Sequence, residues 1–152
     1  MTQRSSFPTV PLAEVPLERS ASRPTVIVVD DESNIANTLT EILFRNGYAA
    51  VAAYDAEGAL ETALLKPPQI LITDVMLPGT NGIDLAIRMR RIFPDCKVLL
   101  FSGQAGAIDL LSRAGHDGHE FEILTKPVHP LDLLARVSEF VAPCQEGSPA
   151  AM

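Results

Sequence analysis

Short runs of apolar, largely β-branched residues alternate five times along the chain with segments whose apolar positions recur every three or four residues. The short runs predict buried strands and the longer segments predict amphipathic helices. The predicted strands cover Thr25–Val29, 48–54, 69–73, 97–101 and 121–124. One helix is predicted between Ser33 and Asn46 and one between Asp55 and Pro67, and three more cover 83–93, 104–114 and 131–141.

Regular alternation of strands and helices with short connections favours parallel βαβ units with right-handed crossovers. The predicted fold class is therefore α/β, a doubly wound five-stranded parallel sheet with helices on both faces. We expect the flavodoxin-like strand order 2-1-3-4-5, with the switch point of the sheet between the first and third strands. Ligands bind beyond the carboxyl ends of the strands at such a point.

The spacing of apolar residues predicts which face of each helix packs on the sheet. Ser33 or a neighbouring acidic residue is expected to cap the first helix. The residues expected to face inward are Ile35, Leu39, Ile42 and Leu43, then Leu60, Leu64 and Leu65, then Leu85, Met89 and Ile92, and finally Leu134, Val137 and Val141. Arg88, Arg90 and Arg91 are expected to face largely outward.

The composition narrows the class of protein. The 152 residues are 47% hydrophobic, which suits one domain at 25–142 with a disordered arm at 1–24 and a flexible tail at 143–152. The arm is expected to be a passive tail, with a short docking segment as the alternative. The net charge of -7 argues against a sequence-independent nucleic-acid binder. No apolar run approaches the roughly 20 residues of a membrane span. Because Cys96 and Cys144 are too few for a disulfide framework, we expect a cytoplasmic protein with reduced thiols, Cys96 being partly buried.

Polar residues directly follow four of the predicted strands. Asp30 and Asp31 follow the first, Asp74 the third, Ser102 the fourth, and Lys126 the fifth. Clustered carboxylates repel one another unless a cation joins them, and their oxygens suit Mg²⁺. A metal-held carboxylate can attack a phosphoryl donor, while a hydroxyl and an ammonium group suit the transferred oxygens. Each residue alone is more often a helix cap or a turn residue, but together they favour an aspartyl-phosphate site.

Four segments resemble the receiver domain of two-component response regulators. They are VVDDE at 28–32, DVMLPGTNG at 74–82, FSG at 101–103 and KP at 126–127. The resemblance covers about 25–141. It implies that Asp74 accepts a phosphoryl group from a histidine kinase or a phosphotransfer protein. Ser102 would bond that group and shift on activation, and Lys126 would pair with it.

The resemblance also implies a cofactor and partners. Mg²⁺ would be bound directly by Asp31 and Asp74, with Asp30 acting mainly through water and the backbone carbonyl of Met76 as a further ligand. The implied partners are the phosphohistidine donor and a downstream target protein. Direct nucleic-acid binding and membrane insertion are not expected.

Two features depart from the family pattern. Ile123 stands where the family usually has Tyr or Phe, three residues before the Lys, so Phe121, which has the same strand parity, is the candidate substitute in a switch with Ser102. The segment before the fifth strand is about two residues longer than usual, with the excess in 115–120. The polar residues there are expected to form a solvated loop rather than a metal site: His116, Asp117, His119 and Glu120.

Three functions remain open from the sequence. Only about ten residues follow Val141, so we expect a stand-alone receiver that signals through protein contacts and is not an enzyme. The alternative is a receiver-like interaction protein that works independently of phosphorylation, which Ile123 favours. A phosphohydrolase with an Asp nucleophile is disfavoured, because the residue two past Asp74 is Met76 rather than an acid.

Overall fold

The computed structural model of the chain describes residues 23–103 and 121–141. Its elements are β1 Thr25–Val29, α1 Ser33–Arg45, β2 Ala49–Ala53, α2 Ala56–Leu65, β3 Ile70–Asp74, α3 Gly82–Ile92, β4 Lys97–Ser102, β5 Glu122–Thr125 and α4 Pro130–Val141. The helix predicted over 104–114, the loop predicted over 115–120, most of the predicted arm and the C-terminal tail with Cys144 lie outside the described residues.

The five described strands form one parallel sheet in the order β2-β1-β3-β4-β5. This confirms the predicted order and the doubly wound, flavodoxin-like fold, and each strand lies within one residue of its predicted range. Val29 lies opposite Thr73, and Asp74 lies opposite Phe101. The carboxyl ends of the central strands are therefore level at one edge of the sheet.

The three central strands build the core on both faces of the sheet. Successive side chains of a strand point to opposite faces. Ile27 and Leu71 pack on the face covered by α2 and α3, whereas Val28 and Phe101 pack on the face covered by α1 and α4. All four side chains are fully buried, so their strands carry continuous apolar runs, as expected of a parallel sheet with two covered faces.

The second helix packs through alanines, which corrects the prediction that its leucines face inward. Its buried residues are Ala56, Ala59 and Ala63, while Leu64 and Leu65 are 66% and 87% exposed. Of the predicted leucines only Leu60 packs against the core, and it is partly buried. Ala56, Ala59 and Ala63 follow the helical period as well as the leucines do. Their small side chains also let the helix axis lie close to the sheet.

The third helix buries Leu85 and Met89 as predicted, but Ile92 is 48% exposed. Ile83 and Ala86 complete the buried face instead. Ile92 is the last residue of α3, and the following residue, Phe93, packs against the core in its place.

The fourth helix is centred on a residue that the sequence analysis missed. Leu133 and Val137 are fully buried, whereas Leu134 and Val141 are only partly buried at the margin of the core. All three predicted residues therefore pack on this core, and the prediction omitted Leu133, which is as deeply buried as Val137. No helix within the two described ranges is long and apolar enough to cross a bilayer.

The first helix packs as predicted but begins differently. Leu39 and Leu43 are buried, and Ile35 lies at the margin of the same cluster. Ser33 is already helical, so the capping position belongs to Glu32, whose side chain makes no capping hydrogen bond in the described structure. Of the two predicted alternatives, the neighbouring acidic residue therefore occupies the capping position, and Ser33 does not.

Cys96 is more deeply buried than predicted, with an exposed fraction of 3%. Burial raises the pKa of its thiol to about 11, although the charge of Arg90 and a hydrogen bond with the Leu71 backbone act in the opposite direction. The thiol is therefore almost entirely protonated at neutral pH, which makes it a poor nucleophile.

Gly82 sets how closely α3 approaches the end of β3. Its N–H donates to the Val75 carbonyl at 2.7 Å. A Cβ atom at this position would lie 2.0 Å from the backbone oxygen of Asp74, a distance that only a backbone shift could relieve. Gly82 therefore permits a close contact between the start of α3 and the backbone of Asp74, which a larger residue would prevent.

We expect Gly82→Ala to lower the free energy of unfolding by about 2–3 kcal/mol, because the added methyl group overpacks against backbone. Helix propensity alone predicts the opposite sign, since Ala is the better helix former. Urea denaturation followed by circular dichroism measures the effect. Gly103→Ala is the control, because its Cβ would lie an ordinary 3.4 Å from Lys126 Cβ. Equal stabilities of the two variants would contradict the role given to Gly82.

Candidate functional site

Three strand ends bring charged side chains to one point above the sheet. Asp30 directly follows β1, Asp74 ends β3, and Lys126 directly follows β5. The two carboxylates are buried, with exposed fractions of 0% for Asp30 and 7% for Asp74. Neighbouring strands and level carboxyl ends therefore produce the clustering that the sequence predicts.

Asp31 completes a group of three carboxylates. One oxygen of each of Asp30, Asp31 and Asp74 lies within 4.8 Å of the others. Asp31 is exposed, whereas its two neighbours are enclosed by the protein. The group therefore consists of two buried carboxylates and one that is open to solvent.

Backbone N–H groups orient the two buried carboxylates. Glu32 donates its N–H to Asp30 Oδ1 at 2.9 Å, and Met76 donates its N–H to Asp74 Oδ1 at 3.1 Å. Both bonds span two residues, so each turn after its strand holds its own carboxylate. This leaves the Oδ2 atoms of both residues directed to the space between the strands.

Lys126 joins the two Oδ2 atoms. Its Nζ lies 3.1 Å from Asp30 Oδ2 and 2.8 Å from Asp74 Oδ2. Burial lowers the pKa of Lys126, but the hydrogen bonds and negative charges of Asp74 and Asp30 outweigh that effect and raise it above its ordinary value of 10.5. The ammonium group is therefore charged at neutral pH and offsets part of the carboxylate repulsion.

Ser102 is also brought to the site. It ends β4, is 8% exposed, and accepts a hydrogen bond from the Lys126 N–H at its backbone carbonyl, at 3.0 Å. The register places it opposite Thr125, directly before the lysine. Ser102 therefore lies one strand away from Asp74, as the predicted strand order requires.

The sequence analysis missed two supports of the phosphoacceptor candidate. Thr73 is fully buried, and its hydroxyl donates to the backbone carbonyl of Asp74 at 3.0 Å. Gly82 packs against the same carbonyl. A β-branched residue in an apolar run indicates only a strand, so the sequence does not show that Thr73 supports Asp74. Gly82 belongs to the family-like segment at 74–82, but the sequence does not show that it contacts the Asp74 backbone.

Of the candidate switch residues, Ile123 lies on the edge strand β5 and Phe121 directly precedes it. Ile123 is 37% exposed, and Phe121 packs against the core beneath Arg90, whose guanidinium carbon is 4.8 Å from the ring centroid. Arg90 also donates to the Cys96 carbonyl at 3.3 Å. The expectation that Arg90 faces outward was wrong, because its long side chain covers the apolar ring while reaching a polar partner.

The donor set fits a hard divalent cation. Three carboxylates and one ammonium group leave a formal excess of two negative charges, since three negative charges meet one positive charge. All the side-chain donors are oxygens, which Mg²⁺ prefers, and the exposed side leaves room for the water ligands it retains. Asp30, Asp31 and Asp74 are therefore the side chains that could hold Mg²⁺.

Comparison with known proteins agrees with this fold. A family model of the response regulator receiver domain matches residues 26–138. Parallel strands in this order with an acidic cluster at their carboxyl ends define a receiver-type signalling domain. The chain belongs to the response regulator receiver family. Membership implies phosphorylation-controlled signalling, and receiver domains typically bind Mg²⁺ at an acidic pocket.

Two relatives are regulators with known names. The chain is 33% identical over 130 residues to the alkaline phosphatase synthesis transcriptional regulatory protein PhoP of Bacillus subtilis, covering 80% of this chain and 52% of that protein. It is 27% identical over 134 residues to the transcriptional regulatory protein BaeR of Escherichia coli, covering 88% and 54%. The chain thus spans about half the length of these relatives.

Solved receiver domains share the architecture. A receiver domain protein from Clostridium thermocellum is 26% identical with a TM-score of 0.70, covering 80% of this chain and 97% of that one. A CheY-like receiver domain from Methanospirillum hungatei has a TM-score of 0.73 at 24% identity, covering 83% and 99%. The second comparison shows the fold alone.

We expect Lys126→Met to bind Mg²⁺ roughly tenfold more tightly than wild type, because the lysine charge opposes a divalent cation held by the same carboxylates. Isothermal titration calorimetry measures the affinity. Lys66→Met removes an equal charge from the exposed C-cap of α2, far from the carboxylates, and should leave the affinity unchanged. Equal affinities in both variants would show that Lys126 does not compete with the metal.

Proposed function

We propose that the protein is a phosphorylation-controlled signalling domain that accepts a phosphoryl group on Asp74 from a phosphohistidine donor in the presence of Mg²⁺. The observation that carries this proposal is the pair of bonds from Lys126 to the buried Asp30 and Asp74, beside an exposed third carboxylate. The family membership supports the same chemistry. The transfer is stoichiometric modification of this chain, so the protein acts as a signalling module rather than as an enzyme.

The transfer begins with Asp74 as the nucleophile. A carboxylate oxygen of Asp74 forms a bond to phosphorus as the bond between phosphorus and the donor's imidazole nitrogen breaks, and that nitrogen keeps the electron pair and takes a proton. The N–H of Met76 holds Asp74 Oδ1, so the carboxylate is oriented before the donor arrives. Bound Mg²⁺, held by Asp31, Asp74, water on Asp30 and the Met76 carbonyl, would neutralise charge on the phosphoryl oxygens.

Lys126 changes partners in the proposed reaction. In the unphosphorylated site its ammonium group is shared between Asp30 and Asp74. After transfer the phosphoryl oxygens carry the negative charge, and a charge-assisted hydrogen bond to them replaces the bond to Asp74. Ser102, one strand away, supplies a hydroxyl for a further phosphoryl oxygen.

The signal is then read as a shift between two populations of one domain. Phosphoryl contacts to Ser102 and Lys126 favour one arrangement of the ends of β4 and β5, and a target protein that binds this arrangement shifts the equilibrium further. Ile123 and Phe121 lie on β5 or next to it, so the surface around this strand is the proposed docking face for the target.

A receiver-like interaction protein that does not depend on phosphorylation is the second candidate. Ile123 favours it, because an isoleucine lacks the aromatic ring that the family usually carries at this position. Its exposure of 37% provides a permanently available apolar contact on β5. Partner binding that is unchanged in Asp74→Ala would support this candidate.

We expect incubation with acetyl phosphate and Mg²⁺ to add one phosphoryl group to the wild-type chain and none to Asp74→Asn. Asn keeps the size of the side chain and its acceptor for the Met76 N–H but lacks the nucleophilic carboxylate. Intact-mass analysis with and without Mg²⁺ measures the adduct.

Asp95→Asn is the matched control for this experiment. Asp95 is exposed and precedes β4, at the edge of the sheet opposite Asp74. It should be phosphorylated like wild type. A well-folded wild-type protein without an adduct, or an adduct retained in Asp74→Asn, would rule out Asp74 as the acceptor.

We expect Met76→Asn to shorten the lifetime of the aspartyl-phosphate by roughly threefold or more. The Met76 side chain is 45% exposed beside Asp74 and has no polar group to orient an attacking water, whereas an amide could do so. Intact mass followed over time after removal of the donor gives the lifetime. Met76→Leu keeps an apolar side chain and should decay like wild type, and equal decay of all three proteins would refute the idea.

A further inference from the structure

The outer edge of the sheet at β2 has backbone hydrogen-bonding groups that pair with no strand of the described residues. Ala49 donates its N–H toward the β1 side and Ala53 accepts at its carbonyl from the same side. Because peptide groups alternate along a strand, those of Ala50 and Ala52 face away from β1. Among the described residues no strand lies on that side.

A groove runs beside this edge, between β2 and α1. It has a volume of about 350 Å³ and is lined by Asn37, Thr40, Glu41, Phe44 and Ala50. Phe44 is 58% exposed, and the Thr40 hydroxyl is buried without a hydrogen-bond partner in the described structure. Buried hydroxyls are nearly always hydrogen-bonded, so this one indicates a missing partner in the groove.

The first described residue lies against this groove. The guanidinium carbon of Arg23, the first described residue, lies 5.7 Å from the centroid of the Phe44 ring. The residues that precede Arg23 are therefore tethered beside the groove by their covalent link to it. A tethered segment has a high effective concentration there, which favours it over a second copy of the chain.

We propose that residues 15–17 bind along the outer edge of β2 as an additional strand, with Val15 and Leu17 in the groove beside Phe44. These two residues share strand parity, so both can face the groove while their peptide groups face β2. Pro16 then turns its missing N–H to solvent, the position in which an edge strand tolerates proline. The N-terminal arm would then be ordered at residues 15–17 rather than disordered throughout.

The connection to β1 is long enough for this arrangement. A fully extended chain from Leu17 to Pro24 spans about 23 Å. The strand beyond β2 would lie about 9.6 Å from β1, two strand spacings away. The added strand must run toward the end of the sheet where β1 and β2 begin, because the chain continues from it into β1. It would therefore be antiparallel to β2.

The added strand would cover an edge that otherwise invites pairing with other chains. It would also reach the candidate site indirectly, because the Ala53 carbonyl at the end of β2 accepts the N–H of Asp30 at 3.2 Å. The proposal is independent of phosphorylation, and its test requires no phosphoryl donor.

Amide hydrogen exchange of the full-length, ¹⁵N-labelled chain tests the proposal by NMR. We expect the amides of Ala50 and Ala52 to exchange at least tenfold more slowly in wild type than in the double variant Val15→Asp and Leu17→Asp. The amide of Val51, which bonds within the β1–β2 ladder, should exchange equally in both proteins and serves as an internal reference.

A second pair of variants tests the groove. Thr40→Val keeps the shape of the side chain but removes the hydroxyl, and should speed exchange at Ala50 relative to Val51. Thr38→Val is the matched control, because Thr38 lies on the same helix outside the groove and its variant should behave like wild type. Exchange at Ala50 and Ala52 that is equal in wild type and the arm variant would overturn the proposal. Protection that rises with protein concentration would also overturn it, in favour of pairing between copies.

Discussion

The ammonium group of Lys126 is the interaction on which the candidate site depends. Asp30 and Asp74 are buried carboxylates whose Oδ2 atoms converge on one point, where two negative charges would repel each other. The lysine offsets this repulsion because it offers each carboxylate a hydrogen bond as well as a positive charge. It offsets only part of the negative charge, since Asp31 remains. The residual negative charge suits a divalent cation such as Mg²⁺.

Parallel sheet geometry explains how residues distant in sequence reach this point. Lys126 and Asp30 are separated by 96 positions, yet each directly follows a strand. In a parallel sheet all carboxyl ends lie on one edge, so polar residues following different strands meet without special loops. The same geometry makes the strands themselves apolar, because both faces are covered. The parallel sheet therefore accounts for both the apolar core and the polar site. The core gives way to the site at the last residue of each strand.

Strand order, strand ends and the charged cluster could be predicted from the sequence because they depend on continuous apolar runs, on the helical segments between them and on the polar residues that follow each run. The sequence analysis misidentified the inward face of α2 because Ala56, Ala59 and Ala63 signal no more strongly than neighbouring leucines, and only the distance to the sheet decides between them. The Gly82 contact and the Arg90–Phe121 contact were missed for a related reason. Both join segments whose separation in space depends on the packed structure.

The described domain is unevenly packed, and this bears on how a charge at Asp74 could be transmitted. β1, β3 and β4 are almost entirely buried, whereas β5 has no buried residue and lies at the edge of the sheet. Lys126 extends from the end of this lightly packed strand. Local stability follows buried contacts, so β5 is the strand that moves at the lowest cost. In the proposed mechanism, a charge change at Asp74 would therefore act through Lys126 on the least buried of the described strands.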